Sequence, residues 1–269
     1  MKVLLATDGE FASELAERLL VRLADRDAVE PTAFSVTTYD IDPADEPKRT
    51  VEDARSVTNE VVDALSTRLE KEGFRVDRAT SEGDPGAEIV RRVEAEGFDL
   101  TVVGAGRHAW LRARLLGTSS SYVVHNSPSS VLIVRDCRES RDPVKVLVAT
   151  DGSDDAGRAI RSFAEFADPS RCSVSVVSIA QPSEITAQQN VNEARGLLNG
   201  AGVATEGFVL NGSPSPRLLE MMREGGYEVI VLGSRGLGPV RRALLGSVSD
   251  QIAHHAPASF IARSLGNVS

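Results

Sequence analysis

From residue 144 onward, short runs rich in Val, Ile and Leu alternate with longer stretches in which apolar residues recur every three or four positions. The runs "VKVLVAT", "CSVSVVSIA", "VATEGFVL", "YEVIVLG" and "ASFIARS" predict strands. The stretches 154–168, 184–200, 214–225 and 247–255 predict the helices between them. Short apolar strands separated by helices fit a parallel sheet covered on both faces. Right-handed crossovers then favour a five-stranded doubly wound sheet. Two strand orders satisfy these constraints, 2-1-3-4-5 and 3-2-1-4-5. The second is preferred, because it puts the reversal of strand order between strands 1 and 4, and the most patterned loops follow those two strands.

The chain carries this pattern twice. "KVLLATDG" at 2–9 returns as "KVLVATDG" at 145–152, and from Gly83 onward a constant offset holds. Gly83 and Pro85 match Gly212 and Pro214; Gly104 matches Gly233, Gly117 matches Gly246, His125 matches His254, and Pro128 matches Pro257. The extra length of the first copy falls most simply in the Asp- and Pro-rich stretch "YDIDPADEPKRT". A repeat of this size is a whole domain rather than a solenoid unit. The expected organisation is therefore α/β, with two tandem doubly wound domains at 1–136 and 144–269 and a polar linker at 137–143.

Composition narrows the chemistry. A formal charge of −9 over 269 residues argues against nucleic acid or an anionic membrane as partner. An anionic ligand would need backbone N–H groups or a few arginines. Cys137 and Cys172 have no metal-ligand or redox spacing and read as free thiols. The opening "MKVLLATDGE" is too short an apolar run for a signal-peptide core, and no later run approaches a membrane span, so a cytoplasmic protein without membrane insertion is expected.

The segment "VLGSRGLGPVRRALLGSVS" spaces Gly233, Gly236 and Gly246 as G-x2-G-x9-G, with Ser247 next. A loop after a buried strand that ends at a helix start offers N–H groups and the positive end of a helix dipole to phosphate. On this reading Gly233 and Gly236 supply left-handed backbone and close ligand approach, and the Ser247 hydroxyl caps the helix. Ordinary tight turns plus an N-cap remain the alternative. The spacing is not G-x4-G-K-[ST], which excludes a P-loop ATPase. "GAGRHA" in the first copy fits G-x-G-x-x-A but follows the fourth strand and lacks the acid about 20 residues on, so it is a coincidence.

The glycine pattern, the strand-1 aspartate and the G-x-P element at 212–214 together resemble the universal stress protein (UspA) family, over nearly the whole chain as two tandem domains. The resemblance implies an adenine nucleotide, with ATP first, ADP or AMP as alternatives, and Mg as the accompanying ion. It implies that Gly233, Arg235, Gly236, Gly246, Ser247, Val248 and Ser249 hold phosphate and ribose. Asp151 and Ala149, ending strand 1, would meet the adenosine, and Ile179 would touch the adenine, although Ser178 and Ile179 stand where the family commonly has His-Val. Taken without the family, Asp151 is equally a helix cap. In the first copy Asp8, Gly104, Gly117 and Thr118 are weaker counterparts, and Arg107 occupies the second glycine position. The second domain is thus expected to bind nucleotide, and the first weakly or not at all. The family's last strands commonly make a dimer contact; here "SSVLIVRD" and "ASFIARS" would join the two domains as an intramolecular pseudo-dimer, with further homodimerisation open.

The remaining candidates have blander readings. Arg112, Arg114, Arg241 and Arg242 read first as solvated, with phosphate contact as the alternative. His125 and His254 suit helix C-termini. Met221 and Met222 read as core or dimer packing, and Trp110 as a plug in the degenerate loop. No nucleophile–base pair or metal cluster stands out, so rapid turnover is not expected, while slow ATP hydrolysis or phosphoryl transfer stays open. The expected role is a nucleotide-dependent sensor or regulator with an unidentified protein partner. The alternative is an interaction module of the same fold that binds no nucleotide. An adenylyl transferase is disfavoured, because "ATDGS" lacks the S-G-G-x-D-S and H-x-G-H elements.

Overall fold

The computed structural model describes residues 1–39, 51–105, 116–236 and 245–263. The first half runs β1 (Lys2–Ala6), α1 (Phe11–Leu23), β2 (Glu30–Thr37), α2 (Val51–Lys71), β3 (Asp77–Glu82), α3 (Pro85–Glu96), β4 (Leu100–Gly104), α4 (Thr118–Asn126) and β5 (Ser130–Val134). The second runs β6 (Val144–Ala149), α5 (Asp154–Phe166), a 3-10 turn (Pro169–Arg171), β7 (Cys172–Ile179), α6 (Glu184–Gly200), β8 (Thr205–Leu210), α7 (Pro214–Gly225), β9 (Val229–Gly233), α8 (Ser247–His255) and β10 (Ala258–Ala262). The sequence dictates several boundaries. Asp84, Ser153 and Ser183 cap α3, α5 and α6 by accepting from Ala87, Ala156 and Thr186 N–H. Proline opens α3 and α7, and Gly97 and Gly226 end them at φ 66° and 67°.

All strands join one ten-stranded sheet, ordered β3-β2-β1-β4-β5-β10-β9-β6-β7-β8. Each half is therefore five strands in the expected 3-2-1-4-5 order, parallel throughout. The halves meet where β5 pairs antiparallel with β10, Val134 opposite Ala258 and Val131 opposite Ile261. Both of these strands are buried along their whole length.

Two apolar layers run through both halves. On one face α1, α2, α5 and α6 bury Leu19, Leu65, Phe163 and Leu198 against Val134, Val146 and Phe260. The Phe163 and Phe166 rings each lie 5.9 Å from that of Phe260. On the other face α3, α4, α7 and α8 pack Val93, Val123, Met222 and Ile252 against Ile133, Ile230 and Ile261. Met222 is thus core, and Met221 packs half-buried beside it.

Polar contacts tie the halves together around this seam. Arg22 of α1 forms a two-pronged pair with Glu228 just before β9, at 2.6 and 3.1 Å, with side chains only 11% and 7% exposed. The same guanidinium donates to the Arg138 and Asp142 carbonyls, which pins the connecting segment. Arg135 donates to the Ala253 carbonyl at the end of α8, and Arg263 to Val124 at the end of α4, so each half supplies a cation to the other's last helix. Burial lowers the pKa of both arginines. His125 and His254 donate from Nδ1 to the Ser121 and Asp250 carbonyls in the last turns, and His125 Nε2 lies 3.3 Å from Asp250 Oδ1 across the seam.

Both cysteines are free. Burial pushes the Cys172 thiol up to about 11 and raises Cys137 as well.

Two outcomes follow from this packing. Removing Glu228 strands a buried guanidinium, so Glu228→Ala should cost about 3 kcal/mol in urea unfolding, whereas Arg22→Met with Glu228→Leu should cost far less. At pH 8 Cys172 should react with a thiol reagent much more slowly in the folded chain than in denaturant, and its rate should climb with pH towards 11 as thiolate forms. Because its folded pKa is raised, its share of stability is present below the unfolded pKa and is lost as pH rises towards 11.

Candidate functional site

Parallel strands present their carboxyl ends to one edge of each half, and the order 3-2-1-4-5 opens a crevice there between strands 1 and 4. In the second half this crevice is a cavity of about 510 Å³. Its walls come from the ends of β6, β7 and β9, the start of α8, and α7. Every second-half residue that the family resemblance assigns to the nucleotide lines it: Ala149, Asp151 and Ile179 from the first two strands, Gly233, Arg235 and Gly236 after β9, and Gly246, Ser247, Val248 and Ser249 at α8. Gln181, Pro182, Pro214 and Leu218 also line it, and with Val177 and Leu232 they give one side an apolar character.

The "TDG" turn after β6 is held by its own side chains. Thr150 Oγ1 accepts from Gly152 N–H at 3.2 Å, and Asp151 Oδ1 accepts from Ser153 N–H at 3.0 Å. Gly152, at φ +77°, is where the loop needs a left-handed residue. Asp151 is therefore a turn-former at the cavity mouth, and the cap of α5 is Ser153. The first half repeats this, with Thr7 and Asp8 accepting from Gly9 and Glu10 N–H and Gly9 at φ +74°.

The glycine loop works differently from the expectation. Neither Gly233, Gly236 nor Gly246 has a positive φ. A Cβ on Gly233 would stand 2.7 Å from the Asp155 carbonyl carbon, and one on Gly104 would stand 2.7 Å from Ser13 N. These glycines let strand 4 of each half pack directly on the start of its first helix. A Cβ on Gly236 would run into the Asp151 carboxylate, so that glycine keeps the mouth open. Gly246 meets nothing closer than 3.5 Å.

Gly246, not Ser247, is the N-cap of α8, and no side chain caps that helix. Gly117 does the same for α4. A glycine cap leaves the first-turn N–H groups and the dipole end facing the cavity rather than covered by the helix's own side chain. The Ser249 hydroxyl is spent on the Gly233 carbonyl at 2.8 Å and locks α8 to the end of β9.

One residue escaped the sequence reading. Asp155, only 8% exposed, accepts from Ser234 Oγ at 3.0 Å and from Arg235 Nε at 3.2 Å, and also pairs with Arg158. In the sequence it is just one of two acids in a helix's first turn; its partners lie about 80 residues on, and no local pattern announces them.

The first half has a smaller cavity, about 270 Å³, lined by Asp8, Gly104, Gly117 and Thr118 together with Thr7, Ser13 and Ser120. Arg107, Trp110, Arg112, Arg114, Arg241 and Arg242 lie outside the described residues. No group of three or more metal-ligating side chains occurs among the described residues. None of the described helices is long and apolar enough to cross a membrane.

The universal stress protein family model matches residues 1–135 and 182–262, most of the chain, including the first cavity and the glycine-loop side of the second. The chain belongs to that family. It is 31% identical over 139 residues to a universal stress protein of Methanothermobacter thermautotrophicus, covering 50% of this chain and 94% of that one. It is 27% identical over 134 residues to universal stress protein YxiE of Bacillus subtilis, covering 40% and 90%. The crystal structure of a universal stress protein from Archaeoglobus fulgidus superposes over 97% of this chain and 98% of its own, with a TM-score of 0.70 at 22% identity, which shows a shared two-copy fold.

The division of labour among the glycines makes a test. Gly233→Ala should destabilise by about 1–3 kcal/mol through overpacking. Gly246→Ala should cost no more than about 1 kcal/mol. Thermal unfolding of the two variants reads the difference; equal losses would mean that Gly246, too, is fixed by packing.

Proposed function

We propose that this universal stress protein binds an adenine nucleotide, ATP in the first instance, in the second-half cavity, and acts in the cytoplasm as a nucleotide-dependent regulator of a protein partner. The observation that carries this reading is the convergence, in one cavity, of an apolar slot with a glycine-capped helix start. The slot at Ile179, Pro182 and Leu218 suits a flat base, and the N–H groups at Ser247 and Val248 suit phosphate, the Gly246 N–H being spent on the Ser234 carbonyl at 2.8 Å. A volume of about 510 Å³ is in the range of small-ligand pockets. Asp151 at the mouth faces the sugar between them. Mg would come with the nucleotide and offset its phosphate charge, with Asp151 as a carboxylate in the cavity lining.

The first half is read as weak or silent. Its cavity is about half the size and has Ser13 where the second half has Ala156, although Phe34, Val36, Ile89 and Val103 keep the apolar side that Val177, Ile179, Leu218 and Leu232 form in the second half. Nucleotide binding would change the surface that a partner meets at the cavity.

Native mass spectrometry of the full chain titrated with ATP should show one nucleotide per chain. Gly236→Arg, which thrusts a side chain at Asp151, should weaken binding by at least about tenfold. Two nucleotides per chain would refute the asymmetry, and none at millimolar ATP would leave a nucleotide-independent interaction module.

A further inference from the structure

The buried contact between Asp155 and Arg235 has no counterpart in the first half. By the repeat offsets, Asp155 corresponds to Ala12 and Arg235 to Gly106, so both partners are missing there together. The second half thus differs in a linked pair of residues as well as in its glycine pattern.

The geometry is specific. Arg235 follows β9 by two residues and lines the cavity with its side chain largely buried. Its Nε donates to Asp155 Oδ2 at 3.2 Å, while Ser234 Oγ donates to the same oxygen at 3.0 Å and Arg158 takes Oδ1. A guanidinium has five N–H donors in a planar fork. The bond to Asp155 fixes Nε and uses none of the four terminal N–H groups of a residue that lines the cavity. An arginine held in this way loses less side-chain entropy when it grips an oxyanion than one that swings free.

Resting on the nucleotide reading above, we propose that Asp155 is a positioning residue that holds Arg235 as the cation for the nucleotide's phosphates, and that this pair is what makes the second half the competent one. Asp155 touches no ligand itself. Its effect is confined to the charged end of the ligand, whereas a merely structural residue would alter binding of the uncharged end as well.

Isothermal titration of the full chain with ATP and with adenosine separates these cases. In wild type, ATP should bind more tightly than adenosine. Asp155→Asn should lower ATP affinity about tenfold, the scale of one charge-assisted hydrogen bond, and leave adenosine affinity unchanged. In an Arg235→Ala background the same Asp155 change should add nothing, and Asp155→Glu should restore part of the ATP preference. Equal losses for ATP and adenosine, no loss for either, or an undiminished loss in the Arg235→Ala background would each overturn the proposal while leaving nucleotide binding intact. Wild type that binds neither ligand would refute the nucleotide reading itself, and the positioning role with it. Thermal melting checks that each variant is folded at the titration temperature. Should Asp155→Asn not fold, Arg235→Lys keeps the charge and removes the Nε anchor, and the same loss of ATP preference is expected.

Discussion

The antiparallel pairing of β5 with β10 is the constraint on which the rest of the molecule depends. Each half taken alone would end in a strand of wholly apolar character, "SVLIV" or "ASFIA", with an unpaired row of backbone N–H and C=O groups. An edge of that kind invites uncontrolled pairing. Joining the two edges removes both hazards and leaves β3 and β8 as the outer strands. β3 carries Asp77, Arg78 and Glu82, and its Arg78 pairs with Glu70, so that end of the sheet is charged against further growth. The seam also makes each apolar layer continuous, and Arg22, Arg135 and Arg263 carry polar contacts across it.

The sites inherit their geometry from this frame. Strands 1 and 4 of each half are central and fully paired, so the loops at their carboxyl ends spring from fixed points. Gly104 and Gly233 let the first helix sit directly on strand 4, which sets the depth of each crevice. The turn glycines, Gly9 and Gly152, then bring an aspartate to the mouth. The two crevices share these features and an apolar side, and differ in volume and in the braced arginine of the second.

Much of this was legible in the chain because it is local or repeated. Periodicity placed the second-half helices to within a residue or two, as with Glu184–Gly200 and Pro214–Gly225, and the offset between copies exposed the duplication. Gly233, Gly236, Gly246 and Ser247 were found through the glycine spacing, and Ala149, Asp151 and Ile179 through the family resemblance that it carries. The reasons for the glycines were not: Gly233 reads as a loop residue, yet its constraint is the backbone of Asp155, far away in sequence. Ser247 reads as a cap because serine often is one, but the chain enters the helix one residue earlier, at Gly246. Arg22 with Glu228, and Asp155 with Arg235, are long-range polar pairs, and a single charged residue on a helix carries no mark of a partner so distant.

The seam has a geometrical corollary. Because β5 and β10 run in opposite directions, the strands of one half point away from those of the other. The two crevices therefore open on opposite rims of one continuous plank, and no ligand can bridge them. A partner that covers one rim leaves the other accessible to solvent. One line of contact between the rims runs along α4 and α8, which start at the crevices and touch through His125 and Asp250. The duplicated chain is in this sense two-ended, with a separately exposed crevice on each rim.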